Sequence, residues 1–498
     1  MKFHQRTRVI RLGVVLTVAA LALPACGGSR VDQTAVIAAE GGGLAGRVSA
    51  LESAQSAAPV ANAAAAPGVA AASVAGPVAA SAPAPVAAPA KATTVGRVAA
   101  PAQQAKAGVP APVAPAAAAG GNPVGCTRAG SPVVIGQVGA FSGLVGANNQ
   151  GALATLPVWV REINARGGLG CHPVTLFEKD TASDPARSEA AVKEMVQLRN
   201  AVALVASYAP LDVAGFRKGV ESMNIAAVGG DQVTPDWHQS PDLFPVGGNE
   251  RAQFAGSVQS LRDRGVKKIA IFYCVESSAC TAFRDTLDKD GYAAKFGMQI
   301  VYQTQVSLTQ NDFTSACQAA KTAGAQALVF AGDAGGVSRT ARSCATVGLT
   351  VPIAITASQA GFDPADRNLQ EATLSMAAPV FPFSQGADNV GEKVYRAAMD
   401  RWNPSARIEA SSALAWSSAR MLERAVDLLG PSVRDIPLTR ELIFKGLGLV
   451  KNETLGGLIP PTTYTAGEAH APENFCYSPM AFDRRGFYAP RGTSFSCI

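Results

Sequence analysis

Six short stretches hold the polar side chains best suited to grip a small solute. They are Gly139 to Gly143 with Phe141 and Ser142, Ser207-Tyr208-Ala209, Gly229-Gly230-Asp231, Cys274 to Cys280 with Glu276, Ser277 and Ser278, Gly332 to Gly336 with Asp333, and Thr356 to Gln359. Hydroxyls, carboxylates and glycine-bared backbone amides hold polar groups. An acidic Asp231 beside Ser207 suits an amine or amide, and the rings of Phe141 and Tyr208 suit a flat or apolar portion. The same residue types are also ordinary turn and helix-cap residues. A hydrolytic reading would pair Asp231 with Glu276 as acid and base, but carboxylates on separate lobes act as binding groups rather than as an acid–base couple. Histidines occur only at positions 4, 172, 238 and 470, too scattered for a local metal motif, and neither a Gly-x-Ser-x-Gly elbow nor a phosphate-binding loop is present. Binding without catalysis, cofactor or metal is the expectation.

These stretches follow strands. Val133 to Val138 is short, β-branched and apolar, a helix follows to about Asn164, Ala165-Arg-Gly-Gly168 stops it, and Pro173 to Phe177 makes the next strand, which completes one βαβ unit. Asp184 as N-cap with Pro185 at the first helical position opens the next helix. The alternation continues with strands at 202–206 and 225–228 and helices at 185–200 and 212–223. It restarts after Asn249 with helices at 251–264, 281–290, 312–323 and 337–347 and strands at 268–273, 299–302, 327–330, 352–355 and 374–380. That pattern predicts an α/β fold with two parallel sheets. In open sheets of this kind ligands sit beyond the carboxyl ends of the strands, where the six stretches lie.

The stretch 133–184 carries a resemblance. Gly136 with Ser142-Gly143, the helix end Glu162-Ile-Asn-Ala-Arg-Gly-Gly168, and Asp180 with Asp184-Pro185 resemble, in order, the opening of the branched-chain-amino-acid type (type 1) periplasmic binding proteins of ABC importers. The resemblance covers about residues 131 to 450. It implies two Rossmann-like lobes with a hinge, with 131–249 and 382–435 as lobe one and 250–381 and 436–498 as lobe two. Two helices, 389–401 and 411–429, return to lobe one, whereas Leu438 to Leu447 and the tail are expected on lobe two. It implies that Ser207, Tyr208, Gly229, Gly230 and Asp231 carry the solute's polar head, that Glu276 and Ser277 close over it, and that Asp333 and Gln359 join them. Phe141 and Ser142 complete the candidate ligand-binding set. It also implies an ABC permease as partner and a monomeric receptor. Two departures stand out. Ala227-Val-Gly-Gly-Asp231 replaces the Ser-Ala-x-Thr pattern of amino-acid-binding members, so their α-amino-acid clamp does not carry over, and Pro157 inside the first helix implies a kink or a late start. A sensor or envelope-binding module on the same fold is the rival reading, because fold does not fix function.

Lys2, Arg6, Arg8 and Arg11 precede an apolar run from Leu12 to Ala25 that is short for a bilayer span and ends in Leu-Pro-Ala-Cys26. Residues 1–25 read as a lipoprotein signal peptide, with Cys26 lipidated and anchoring the protein outside the cytoplasm. Its removal takes four of the 43 basic residues and none of the 37 acidic ones, leaving +2, which excludes a nucleic-acid partner driven by bulk charge. Residues 26–125 are rich in Ala, Pro, Val and Gly and read as a disordered tether with a reach of roughly 200 Å. Eight cysteines then remain, Cys126, Cys171, Cys274, Cys280, Cys317, Cys344, Cys476 and Cys497. Eight allow 105 pairings. The expected topology favours four sequential bridges, with Cys476 and Cys497 pairing by elimination. Reduced thiols or a metal site remain the alternative, hinted at only by the short Cys274 to Cys280 spacing.

Overall fold

The computed structural model describes residues 126, 128–384, 386, 389–469 and 474–498. The signal segment, Cys26 and the Ala/Pro-rich stretch lie outside the described residues, as does His470. Among the described residues the strands are β1 Val133–Gly139, β2 Val174–Asp180, β3 Ala203–Ser207, β4 Ala226–Gly230, β5 Leu243–Phe244, β6 Lys268–Cys274, β7 Gln299–Val306, β8 Ala327–Ala331, β9 Ile353–Thr356, β10 Leu374–Ala378, β11 Cys476–Asp483, β12 Gly486–Tyr488 and β13 Ser496–Cys497. The helices are α1 Gln150–Ala165, α2 Pro185–Gln197, α3 Val213–Met223, α4 Glu250–Asp263, α5 Ser278–Leu287, α6 Tyr292–Lys295, α7 Thr314–Thr322, α8 Ala334–Thr346, α9 Arg367–Ala372, α10 Val390–Trp402, α11 Ala410–Leu428 and α12 Arg440–Gly448. No helix among the described residues is long and apolar enough to cross a membrane.

Two sheets result. The first runs β2-β1-β3-β4-β5, parallel throughout. Its inner strands are buried on both faces, β3 and β4 along their whole length, which is why they read as unbroken small and apolar runs rather than alternating ones. The second runs β12-β11-β10-β9-β8-β6-β7. It is parallel from β10 to β7 and is extended by the antiparallel strands β11 and β12, with β13 pairing on β11. The eight cysteines form Cys126–Cys171, Cys274–Cys280, Cys317–Cys344 and Cys476–Cys497.

Helix starts follow local chemistry. Asp184 accepts from the amides of Ala186 and Arg187 ahead of α2, Asn249 from Ala252 ahead of α4, and Asp333 from Gly335 and Gly336 ahead of α8. α1 does not start late. It begins at Gln150, after a 3-10 turn at Gly146–Asn149, and runs on through Pro157. α11 lies against α1, β3 and β4, so the penultimate helix pair belongs with the first sheet. Trp159 from α1 and Arg166 just after it bond its buried Glu423.

One expectation needs correction. α12 packs on α11 and β4 of the first lobe, not on the second sheet. Its start is held there by the Arg440 guanidinium, which donates to the Met223 carbonyl at the end of α3. The chain crosses to the second sheet only afterwards, so it passes between the lobes three times. The crossings bond one another: Gly248 N donates to Pro379 O at 2.8 Å, Asn249 N to Asn474 O at 2.8 Å, and Phe381 N to Leu458 O at 2.8 Å. Such close backbone approach requires glycine, since a Cβ on Gly248 would lie 1.9 Å from the Cys476 carbonyl oxygen. Gly248→Ala is expected to lower stability by about 2–3 kcal/mol, read as a fall in the urea midpoint with unchanged slope. A midpoint equal to the parent's would mean that the crossings are not tightly packed.

Candidate functional site

The segments that follow β1, β3 and β4 face a gap between the lobes. β3 finishes with Ala206 in the left-handed region at φ +52°, pinned by Gln137 Nε2 donating to its carbonyl at 3.0 Å. β4 finishes with Gly229 at φ +60° and Gly230 at φ +146°. A Cβ on Gly230 would lie 1.7 Å from the Ser207 carbonyl oxygen, and one on Gly229 would lie 2.0 Å from Ser418 Oγ. The two glycines therefore allow β4 to press against β3 and α11, and they set Asp231 at the strand end. Asp231 N then donates to Ser207 O at 3.1 Å.

A cavity of about 50 Å³ lies at this point, small beside the roughly 300–1,000 Å³ of drug-sized sites. Lobe one lines it with Val145, Asn148, Pro210, Leu211, Asp231 and Val233. Lobe two contributes Phe254, the Cys274–Cys280 bridge, Ser277, Phe283, Leu308 and Gln359, among others. The lobes meet directly: Ser277 Oγ donates to Pro210 O at 2.8 Å, and Ala334 N donates to Asn148 Oδ1 at 3.2 Å. The described form is closed.

Of the eleven residues singled out from sequence, the structure brings Asp231, Ser277 and Gln359 to the cavity wall. Gln359 is bound at both ends, its Nε2 donating to Phe330 O at 3.1 Å and its Oε1 accepting from Thr356 N at 2.9 Å. Tyr208 is 2 % exposed and sits behind the wall, its hydroxyl donating to Ser411 O at 2.9 Å. Burial, with Asp231 and Glu409 nearby, lifts its phenol well above the usual range. Ser207 Oγ accepts from Val138 N at 3.4 Å. Phe141 is buried, and Ser142 is exposed with its hydroxyl donating to Asp180 Oδ2 at 2.5 Å. Burial pushes the Asp180 carboxyl up, but the bonds from Ser142 and from the Ala182 and Phe141 amides outweigh it and hold the group below its ordinary value. Glu276 does not face Asp231. It is exposed and accepts from Ser307 Oγ at 2.5 Å and Leu308 N at 3.0 Å within its own lobe. Asp333 caps α8 and meets Arg339 at 3.4 Å.

Sequence reasoning missed Asn148, Leu211, Phe254 and Phe283. The two phenylalanines sit on helices as ordinary apolar positions and, stacked with ring centroids 4.6 Å apart, help line the cavity. A strand-end rule cannot find residues that arrive on helix faces.

Two α/β lobes joined by three crossings, with a cavity between them at the strand ends, define a two-lobed solute-binding protein. The chain belongs to the periplasmic binding protein family, whose model matches residues 132–449, and that membership implies an extracytoplasmic location. Among curated proteins none matches it in sequence. Solved structures share the fold. The leucine-binding protein LivK of Thermotoga maritima is 14% identical over 74% of this chain and 97% of its own, with a TM-score of 0.58. LivJ of Streptococcus pneumoniae, in complex with isoleucine, is 15% identical over 74% and 99%, at 0.57. An ABC-transporter solute-binding protein of R. palustris, in complex with benzoate, is 12% identical over 74% and 95%, at 0.55.

Asp231 is 5 % exposed, and burial alone raises its carboxyl from 3.8 to about 7. The unfolded chain releases this proton near pH 4, whereas the folded protein keeps it to about pH 7. The folded state thus binds more protons across that window, and its stability is lost as pH rises through it. Asp231→Asn cannot ionise, so it is expected to melt above the parent at pH 8, by up to about 4 kcal/mol of stability, and close to it at pH 4. Calorimetry at the two pH values checks this; the same offset at both would assign the titration to another group.

Proposed function

We propose that the protein is the lipid-anchored receptor of an ABC importer. It captures a small polar solute, an amino acid, amide or related amine, by closing its two lobes, and presents the closed form to a membrane permease. The observation that carries this reading is the cavity lined by both lobes, with a buried carboxylate in its wall and bonds from one lobe to the other beside it. Support comes from the neighbours that bind isoleucine and benzoate in this fold. Ser277 and Asn148 make their interlobe bonds only when the cleft is shut, so a solute that fills the cavity favours the closed state by its differential affinity for it. Hinge closure of this kind is the established mode of periplasmic binding proteins as a class. Cys26 and the Ala/Pro-rich stretch after it supply the anchor and spacing, and the solute is bound rather than converted.

A thermal-shift screen of the oxidised protein against amino acids, amides, polyamines, ureas and aromatic acids tests the reading. A solute at 100 times its Kd adds about 2.7 kcal/mol, a shift of a few degrees. The same solute should lose its uptake on deletion of the gene; unchanged uptake would falsify the importer role. Cys26→Ser should move the protein from the membrane fraction to the soluble one, and retention in the membrane would remove lipidation as the anchor.

A further inference from the structure

We infer that the solute is a small ammonium ion with an apolar tail and no carboxylate, its charged head on Asp231 and its tail against Phe254 and Phe283. The inference rests on the binding role proposed above and narrows its substrate class.

Among the described residues that line the cavity, Asp231 is the only charged one. No hydrogen bond or ion pair reaches its carboxylate from any of them. An ionised carboxylate buried without a partner is costly, and a cation offsets that cost where an anion adds to it. The stacked Phe254 and Phe283, with Val233 and Leu308, give the same cavity an apolar lining.

The amides that would hold a solute carboxylate are already occupied by the protein's own groups. Asp180 Oδ1 accepts from Phe141 N at 2.9 Å and Ser142 N at 3.2 Å, and Glu409 Oε1 accepts from Gly151 N at 2.7 Å in the first turn of α1. Asp333 takes the Gly335 and Gly336 amides of α8, and Ser277 Oγ takes Ala279 N of α5. Helix N-termini are the usual anion sites of such folds, and here the first-turn amides at Gly151, Ala279, Gly335 and Gly336 are taken by the protein's own side chains. An α-amino acid would therefore find an anionic partner for its ammonium and no cation or free helix-start amide among those named for its carboxylate.

Of the charged groups on the surrounding elements, Asp212, next to Leu211, is buried beside the Thr181 and Ser188 hydroxyls, and others are paired. His238 Nε2 lies 2.8 Å from Glu250 Oε2, Asp333 3.4 Å from Arg339, and Arg284 pairs with Asp285. Glu409 bonds Gly151 and Ser411, and Tyr208 bonds Ser411 O. Asp231 is thus the group whose ionisation an incoming ammonium must await.

Three probes share one tail: 3-methylbutylamine, leucine and 4-methylpentanoate. Titration calorimetry on the full oxidised protein should show 3-methylbutylamine binding, with affinity rising up to about 50-fold from pH 5 to pH 7 and levelling off above pH 8. The carboxylate should not compete. Asp231→Asn should weaken the amine at least 30-fold, about the effect of truncating one partner of a buried charge pair, with circular dichroism verifying the fold. The pH slope of the parent tests the same point without a variant. Tighter binding of leucine or 4-methylpentanoate than of the amine would overturn the inference while leaving solute binding intact. No binding of any of the three would also overturn it, and the binding role would then stand or fall on the wider screen.

Discussion

Everything in this molecule hangs on the backbone pairing of its three interlobe crossings. Gly248 on Pro379, Asn249 on Asn474 and Phe381 on Leu458 tie three strands of chain that are far apart in sequence into one narrow seam. With no space for a Cβ at Gly248, the seam packs main chain against main chain where the chain passes between the lobes. On this joint the lobes come near enough for Ser277 to reach Pro210 and Ala334 to reach Asn148. The cavity exists because those distances close.

Within the closed cleft, one electrostatic theme repeats. Acidic side chains in both lobes are spent on the protein's own backbone amides: Asp180 on the loop after β1, Glu409 on α1, Asp184 on α2 and Asp333 on α8. Each satisfies donors that would otherwise be orphaned at a helix start or a tight loop. Asp231 differs from these four. It stands at the end of a strand whose last two residues are glycines, it is buried, and burial raises its carboxyl to about 7. The contrast between four satisfied carboxylates and one unsatisfied one gives the site its polarity.

Much of the fold was legible because local chemistry and burial agree. Val133 to Val138 could only be an inner strand, Asp184-Pro185 could only open a helix, and the strand-end rule led to Asp231, Ser277 and Gln359. Other residues from the same loops went elsewhere for reasons no local pattern carries. Tyr208 turned inward to a carbonyl on α11, more than 200 positions away. Glu276 was drawn to the turn at Ser307, and Ser142 to Asp180. The helix at 440–448 is amphipathic in either lobe. Its place on the first was settled by packing against α11 and β4, together with the bond from Arg440 to Met223, which its sequence does not encode on its own.

By itself, then, the sequence determined the α/β alternation, the ends of the strands and the chemical types gathered there, because those follow from periodicity, turn residues and caps acting over a few positions. Only the tertiary structure decided which of those groups remain free. Hydrogen-bond donors and acceptors are consumed by partners distant in sequence, and a side chain's availability to a solute is whatever that competition leaves.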